Sequence, residues 1–218
     1  MESTMERMTD FFVARIDDYD RHMLEDVDGC EEAYKEVAKL IPRHTHDLLD
    51  LGCGTGLELE EIFKLFPDVR VTGIDLTKEM LDRLEKKYPG KQLGLVHGDY
   101  FSVPLGSSRY DAAVSFYSLH HFQHDAKVRL YSKVLSSLRA SGRYIECDCM
   151  GTSQEEEDLF FAKSRRIRAE LGIPMNALYH FDTPCTVENQ MKMLLQAGFA
   201  SAEMVFRQEY TSILVAQK

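Results

Sequence analysis

Leu48-Leu49-Asp50-Leu51-Gly52-Cys53-Gly54-Thr55-Gly56 is an apolar run that ends in three glycines at alternate positions, with an acid two residues before the first. A short apolar run bounded by turn residues predicts a buried strand. Glycine lacks a Cβ, so it takes positive φ and lets backbone N–H groups approach a ligand closely. Leu57–Leu65 then reads as a helix closed before Pro67, and Val69–Ile74 as a second strand ended by Asp75. Strand, glycine turn, helix, strand and acid describe a pocket for a nucleoside-containing cofactor.

Two ligands compete for such a turn. A dinucleotide pyrophosphate asks for G-x-G-x-x-G, and the third glycine of that pattern falls on Leu57 here. Asp50 would also repel a pyrophosphate, whereas it suits a cation such as an α-ammonium group.

Outward from this turn, strands and helices alternate. Helices are expected over 4–16, 30–40, Thr77–Lys87 (Thr77 as N-cap), Asp125–Leu138 (Asp125 as N-cap), Gln154–Leu171 and Val187–Ala197. Further strands are expected at Gln92–His97, Tyr110–Phe116 and Arg143–Cys149, and a closing hairpin at Ala202–Tyr210 and Thr211–Ala216. Alternation of this kind predicts an α/β fold with a mostly parallel sheet and helices on both faces.

Composition narrows the class. The 218 residues are 44% hydrophobic and 28% charged, which fits one soluble domain. No apolar run approaches the roughly 20 residues of a membrane span. Met1–Arg7 lacks the basic region and apolar core of a signal peptide. Five cysteines without framework spacing point to a reducing, cytoplasmic setting. A net charge of −10 argues against a nucleic-acid partner.

The pattern around Asp50, Gly52, Gly54 and Gly56, with Asp75 after the next strand, resembles motif I of class I S-adenosylmethionine (SAM) dependent methyltransferases. The resemblance runs from about residue 30 to the C-terminus. It implies a Rossmann-like, doubly wound seven-stranded sheet with its last strand antiparallel. It also implies one domain over 1–218: a helical lid (1–41), a SAM-binding core (47–150), a helical substrate-side insertion (151–200) and a closing hairpin (201–218). Leu194–Phe199 resembles the family's closing segment, and Leu138–Arg143 its usual turn with Ala140 and Ser141 in place of Pro and Gly.

The resemblance places the cofactor on Asp50, Gly52, Cys53, Gly54 and Gly56 at the methionine end, with Asp75 on the ribose hydroxyls. Leu76 and Met80 then flank the adenine, Asp99 meets its amino group, Tyr100 lies beside the ring and Ser115 stands nearby. Asp75 is alternatively a solvated strand-end acid, and Gly98-Asp99 an ordinary turn. His120 and His121 follow the fourth strand, where relatives face the sulfonium and the acceptor. His120 is the candidate base or positioning residue, since its ordinary pKa suits proton transfer near neutrality; the alternative is that it packs the pocket wall. Tyr117 and His121 are candidate substrate contacts.

Tyr19, on a lid over the cofactor, and His22 could share one helical face. Arg165, Arg168, Tyr179 and His180 add cations and aromatics to the same rim, although the arginines could equally pair with the acidic start of their own helix. No metal is expected, because His121-Phe122-Gln123-His124 has no third ligand placed beside it. The reading is methyl transfer from SAM to a small-molecule acceptor, giving S-adenosylhomocysteine, by a monomer or homodimer. The alternatives are a cofactor-modifying enzyme of the carboxy-SAM synthase type and a SAM-binding, partner-dependent subunit.

Overall fold

The computed structural model describes residues 5–218. A seven-stranded sheet forms the centre. In chain order its strands are β2 (Asp47–Leu51), β3 (Arg70–Asp75), β4 (Leu93–His97), β5 (Tyr110–Phe116), β6 (Leu138–Cys149), β8 (Ser201–Gln208) and β9 (Thr211–Gln217). A separate two-stranded sheet pairs β1 (Glu6–Arg7) with β7 (Tyr179–His180). The helices are α1 (Met8–Arg15), α2 (Tyr19–Arg21), α3 (Cys30–Leu40), α4 (Leu57–Leu65), α5 (Lys78–Lys87), α6 (His124–Ser137), α7 (Gln154–Leu171) and α8 (Val187–Gln196), with a π-helical turn at His22–Asp26.

The spatial order is β4-β3-β2-β5-β6-β9-β8. The first five strands are parallel, and β9 runs antiparallel to both of its neighbours. The expected doubly wound sheet with an antiparallel last strand is therefore present. Strand order reverses between β2 and β5, and in open α/β sheets ligands sit at such a switch point, beyond the carboxyl ends of the strands. Asp50, Asp75 and Tyr117 all lie there.

Two apolar layers hold the sheet. Leu48, Val114, Ile145 and Val215 face α3 and α4, while Leu49, Leu51, Ala113 and Leu214 face α6 and α8. Each of these side chains is essentially fully buried. The period-2 alternation of the strands sends successive residues to opposite layers.

Several boundaries differ from expectation, each for a local reason. The N-terminal helix starts at Met8, because Glu6 and Arg7 pair with His180 and Tyr179 instead; residue 4 lies outside the described residues. Thr77 occupies the N-cap position of α5 without a side-chain cap bond, and its N–H donates to Asp75 Oδ1 at 2.7 Å. Asp125 is not an N-cap: α6 begins at His124, and Asp125 pairs with Arg129 at 2.7 Å. β6 starts at Leu138 rather than Arg143, with a register shift opposite Tyr110 and Ala112. By contrast α7 keeps its expected bounds. Ser153 Oγ accepts the Glu156 N–H at 3.2 Å, and Gly172 closes the helix at φ +65°.

Candidate cofactor and acceptor site

The glycine turn leaves β2 and opens into α4. Gly52 sits at φ +72°, and a Cβ there would come 2.1 Å from Ser118 Oγ. Only glycine satisfies both the dihedral and the space. Gly52→Ala is therefore expected to cost about 1–3 kcal/mol of stability, read as a lowered thermal midpoint; an unchanged midpoint would mean that the turn relaxes freely. Beyond the turn, Gly54 N–H donates to Asp75 Oδ2 at 2.9 Å. With the Thr77 N–H on the other oxygen, the Asp75 carboxylate is fixed at the carboxyl end of β3. Burial pushes its pKa up, outweighing the two N–H donors.

Asp50 is fully buried, and no donor reaches either carboxylate oxygen. Glu58, in the first turn of α4, is buried beside it with Oε1 also unmet. Burial raises both pKa values, and Asp50 is raised further by the Glu58 charge. Ionising both acids without a cation is costly in a protein interior. An ammonium group would relieve such a pair, but neither acid lines the two cavities at this end of the sheet. Glu58 escaped the sequence reading because an acid in a first helical turn is commonplace.

Two cavities adjoin at this end of the sheet. The smaller, about 60 Å³, is lined by Gly52, Gly54, Asp75, Leu76, Met80 and Tyr100, among others. Its neighbour, about 560 Å³, is walled by Phe11, Tyr19, His22, His120, His180 and Asp182 with further residues. Phe12, Tyr19, Tyr117 and His121 line both. Tyr117 stands at φ +50°, rare for a bulky residue, and its hydroxyl is hydrogen-bonded to Thr211 Oγ1 at 2.6 Å. Strain of this kind collects at functional positions.

The N-terminal segment covers the smaller cavity. The Tyr19 hydroxyl would lie 3.7 Å from a Cβ on Gly54. Thr55 Oγ1 donates to Asp20 at 2.5 Å, Lys87 reaches Asp20 at 3.3 Å, and Arg83 binds Asp17 and the Ile16 carbonyl.

In the larger chamber, Asp148 Oδ1 lies 2.5 Å from His120 Nδ1, leaving Nε2 toward the chamber. Leu119 N–H holds the other Asp148 oxygen at 2.9 Å. Burial disfavours a charged His120 ring, but the Asp148 carboxylate outweighs it and holds the pKa above its ordinary value. His121 moves the other way through burial and the neighbouring His120, and His180 is pushed down to about 3 by burial and by His121.

Several expected residues lie elsewhere. The Cys53 thiol packs on β3, where a Cβ on Gly73 would meet it at 2.8 Å, and Gly56 begins α4 behind the turn. Ser115 faces the opposite layer and hydrogen-bonds the Tyr144 hydroxyl at 2.7 Å, since strand alternation turns it away from the cavities. Asp99 spends its carboxylate on Phe101 N–H and Ser102 Oγ, at 2.9 and 3.0 Å, and lines a separate 410 Å³ cavity. Arg168, which also lines that cavity, is buried and donates to the Pro174 and Ala177 carbonyls, so it braces the turn after α7. Arg165 is exposed on α7, and Tyr179 belongs to the small sheet; neither lines the chamber. Nor do the two arginines pair with the helix start; Tyr210 and Thr152 take up Glu156 there. His22 reaches the chamber, with Nδ1 3.1 Å from Asp26. The sequence placed no third ligand beside the histidine pair; the fold brings Asp182 there.

A family model described as a methyltransferase domain matches residues 48–142. The carboxy-S-adenosyl-L-methionine synthase of Nautilia profundicola is 24% identical over 78% of this chain and 76% of its own length. The O-methyltransferase cnsE of Penicillium expansum is 25% identical over 74% of this chain and 54% of its own. The structure of human N-acetylserotonin methyltransferase in complex with SAM superposes with a TM-score of 0.62 at 18% identity, covering 85% of this chain and 51% of that one. The chain thus spans about half the length of the last two proteins. Among the described residues no helix is long and apolar enough to cross a membrane.

Proposed function

We propose that the chain is a class I SAM-dependent methyltransferase and that it transfers the SAM methyl group to a small-molecule acceptor held in the 560 Å³ chamber. The observation that carries this reading is the shared wall. Phe12, Tyr19, Tyr117 and His121 line both cavities, so a donor in one faces an acceptor in the other.

In this reading the SAM α-ammonium meets Asp50 and Glu58, Asp75 accepts from the ribose hydroxyls, and Leu76, Met80 and Tyr100 enclose the adenine. Asp75 retains lone pairs for this beyond those used by Gly54 and Thr77. The acceptor's lone pair attacks the methyl carbon. The carbon–sulfur bond breaks with its electron pair left on sulfur, which yields S-adenosylhomocysteine. Holding the two reactants at attack distance supplies much of the rate. The acceptor's reacting atom is held, and stripped of its proton, at the Nε2 face of His120, with Asp148 fixing the ring.

Asp75→Ala is expected to weaken SAM binding at least ~10-fold, through loss of charge-assisted hydrogen bonds. Calorimetry checks this, and unchanged affinity would remove Asp75 from the ribose.

Carboxy-SAM synthases among the relatives raise the alternative that the cofactor itself is modified. That chemistry needs a cationic anchor for a second acid substrate. Arg168 is held by backbone carbonyls and Arg165 lies off the chamber, while Arg15, paired with Glu6, and Arg21 line it and are the cations such an anchor would use. The deciding experiment offers amine, thiol, phenol and carboxylate acceptors with SAM, and identifies products by mass. Methylated acceptor plus S-adenosylhomocysteine supports the proposal; a mass gain on the cofactor sinks it. Binding of a nicotinamide cofactor without SAM would overturn the whole reading.

A further inference from the structure

Three side chains converge on one point of the chamber wall. Oδ1 of Asp182 lies 3.2 Å from His121 Nδ1 and 3.6 Å from His120 Nε2, and all three atoms fall within 4.8 Å of one another. His180 Nε2 stands 3.8 Å from the same oxygen. His121 Nδ1 is buried and has no hydrogen-bond geometry to any group, although its side chain is only 2% exposed. We propose that His120 Nε2, His121 Nδ1 and Asp182 Oδ1 hold a divalent transition-metal ion, with His180 beside them, at the wall of the acceptor chamber.

The distances suit such an ion. Metal–ligand bonds of about 2.0–2.2 Å in tetrahedral geometry separate the ligand atoms by about 3.3–3.6 Å. Two imidazoles and a carboxylate match the donor preference of zinc and its first-row neighbours. The outer partners are also in place. Asp148 grips the far nitrogen of His120, as a carboxylate behind a metal-bound imidazole does, and fixes which nitrogen faces the ion. Thr183 clamps the Asp182 loop to the histidine segment, its N–H and Oγ1 donating to the His120 carbonyl at 2.7 and 3.0 Å. The His180 ring is fixed by stacking on Phe11, with centroids 3.4 Å apart.

Among the described residues one other group of this kind occurs, His124, Glu157 and Cys185. It is stoppered. Lys127 Nζ sits 3.3 Å from Cys185 Sγ, and Glu157 is spent on Thr186 N–H and Asn189. Among the described residues no lysine or arginine pairs with Asp182, and its carboxylate is half exposed toward the chamber.

What the ion would do rests on the methyl-transfer reading and replaces one part of it: with Nε2 on the ion, His120 serves as a ligand, and the acceptor's proton goes to solvent instead of to that nitrogen. An acceptor hydroxyl, thiol or amine on an open metal position releases its proton to solvent more readily and presents its lone pair to the SAM methyl. The new bond forms to the methyl carbon, and the sulfur keeps the pair of the bond that breaks. No electron is transferred to or from the metal.

The test treats the whole chain with chelator, desalts it and titrates zinc chloride by calorimetry, with cobalt(II) absorption as a second readout. One equivalent is expected. Asp182→Asn and His121→Ala should each weaken zinc binding at least ~100-fold, while His44→Ala, exposed elsewhere, should bind as wild type. If His121→Ala does not fold by circular dichroism, Asp182→Asn on its half-exposed loop decides. Equal zinc affinity in wild type and Asp182→Asn, or none in wild type, overturns the site. SAM titration of the metal-free protein separates the two readings. SAM bound without a zinc site leaves methyl transfer standing, whereas a zinc site without SAM binding removes the methyl-transfer reading alone.

Discussion

Asp50→Asn is expected to weaken SAM binding by at least ~100-fold while making the ligand-free protein more heat-stable. The two halves have one cause. Asp50 and Glu58 form a buried acid pair with unmet oxygens. Breaking a buried ion pair by removing one partner costs about 3–5 kcal/mol, and each 1.4 kcal/mol is tenfold in affinity. Before the ammonium arrives the same carboxylate is a liability, and its neutral isostere relieves it.

The pH dependence follows with a definite sign. Both folded pKa values are raised by burial. Stability tied to the protonated acids is therefore complete below the ordinary carboxylate range and is lost as pH climbs through the raised values. SAM binding runs the other way, because an ammonium prefers the ionised pair. Affinity should rise with pH through that window, with proton release detectable by calorimetry in buffers of different ionisation enthalpy. Full affinity in Asp50→Asn, or no proton release, would place the ammonium elsewhere.

The second large effect belongs to His120→Ala. Turnover with the true acceptor should fall by about 10²–10⁴-fold, with SAM affinity unchanged, because His120 lines the acceptor chamber and not the cofactor cavity. Asp148→Asn is the companion. It removes the charge that holds the ring while leaving a group of the same shape, so kcat should fall with little change in KM for SAM. Steady-state kinetics in both substrates read the two together. Normal turnover in His120→Ala would leave that ring a piece of packing.

What the chain discloses in advance depends on how local the cause is. The strand-turn-helix at Leu48–Leu65 is legible because glycine spacing, apolar runs and Pro67 act within a few residues. Asp50 and Asp75 are legible for the same reason, since each ends or nearly ends a strand at the switch point. Asp148 and Asp182 are not. Each meets His120 only because β6 lies beside β5 and because a loop after β7 folds back through Thr183. Ser115, Asp99 and Arg168 lie away from the two adjoining cavities. Their residue types suit a site, yet strand alternation, a local turn and a helix end respectively claim them. Pairings many residues apart along the chain leave no periodic trace.

The ties from the N-terminal segment to α4 and α5 have a consequence for the tempo of the reaction. The cavity left beneath Tyr19 is about 60 Å³, well short of the roughly 300 Å³ at which ligand pockets begin. The contacts of Asp17 and Asp20 with Arg83, Thr55 and Lys87 hold the segment that covers it. Under the methyl-transfer reading, release of S-adenosylhomocysteine past this segment is expected to limit turnover. A solvent-viscosity dependence of kcat, relieved by Asp20→Ala, is the signature of such a limit.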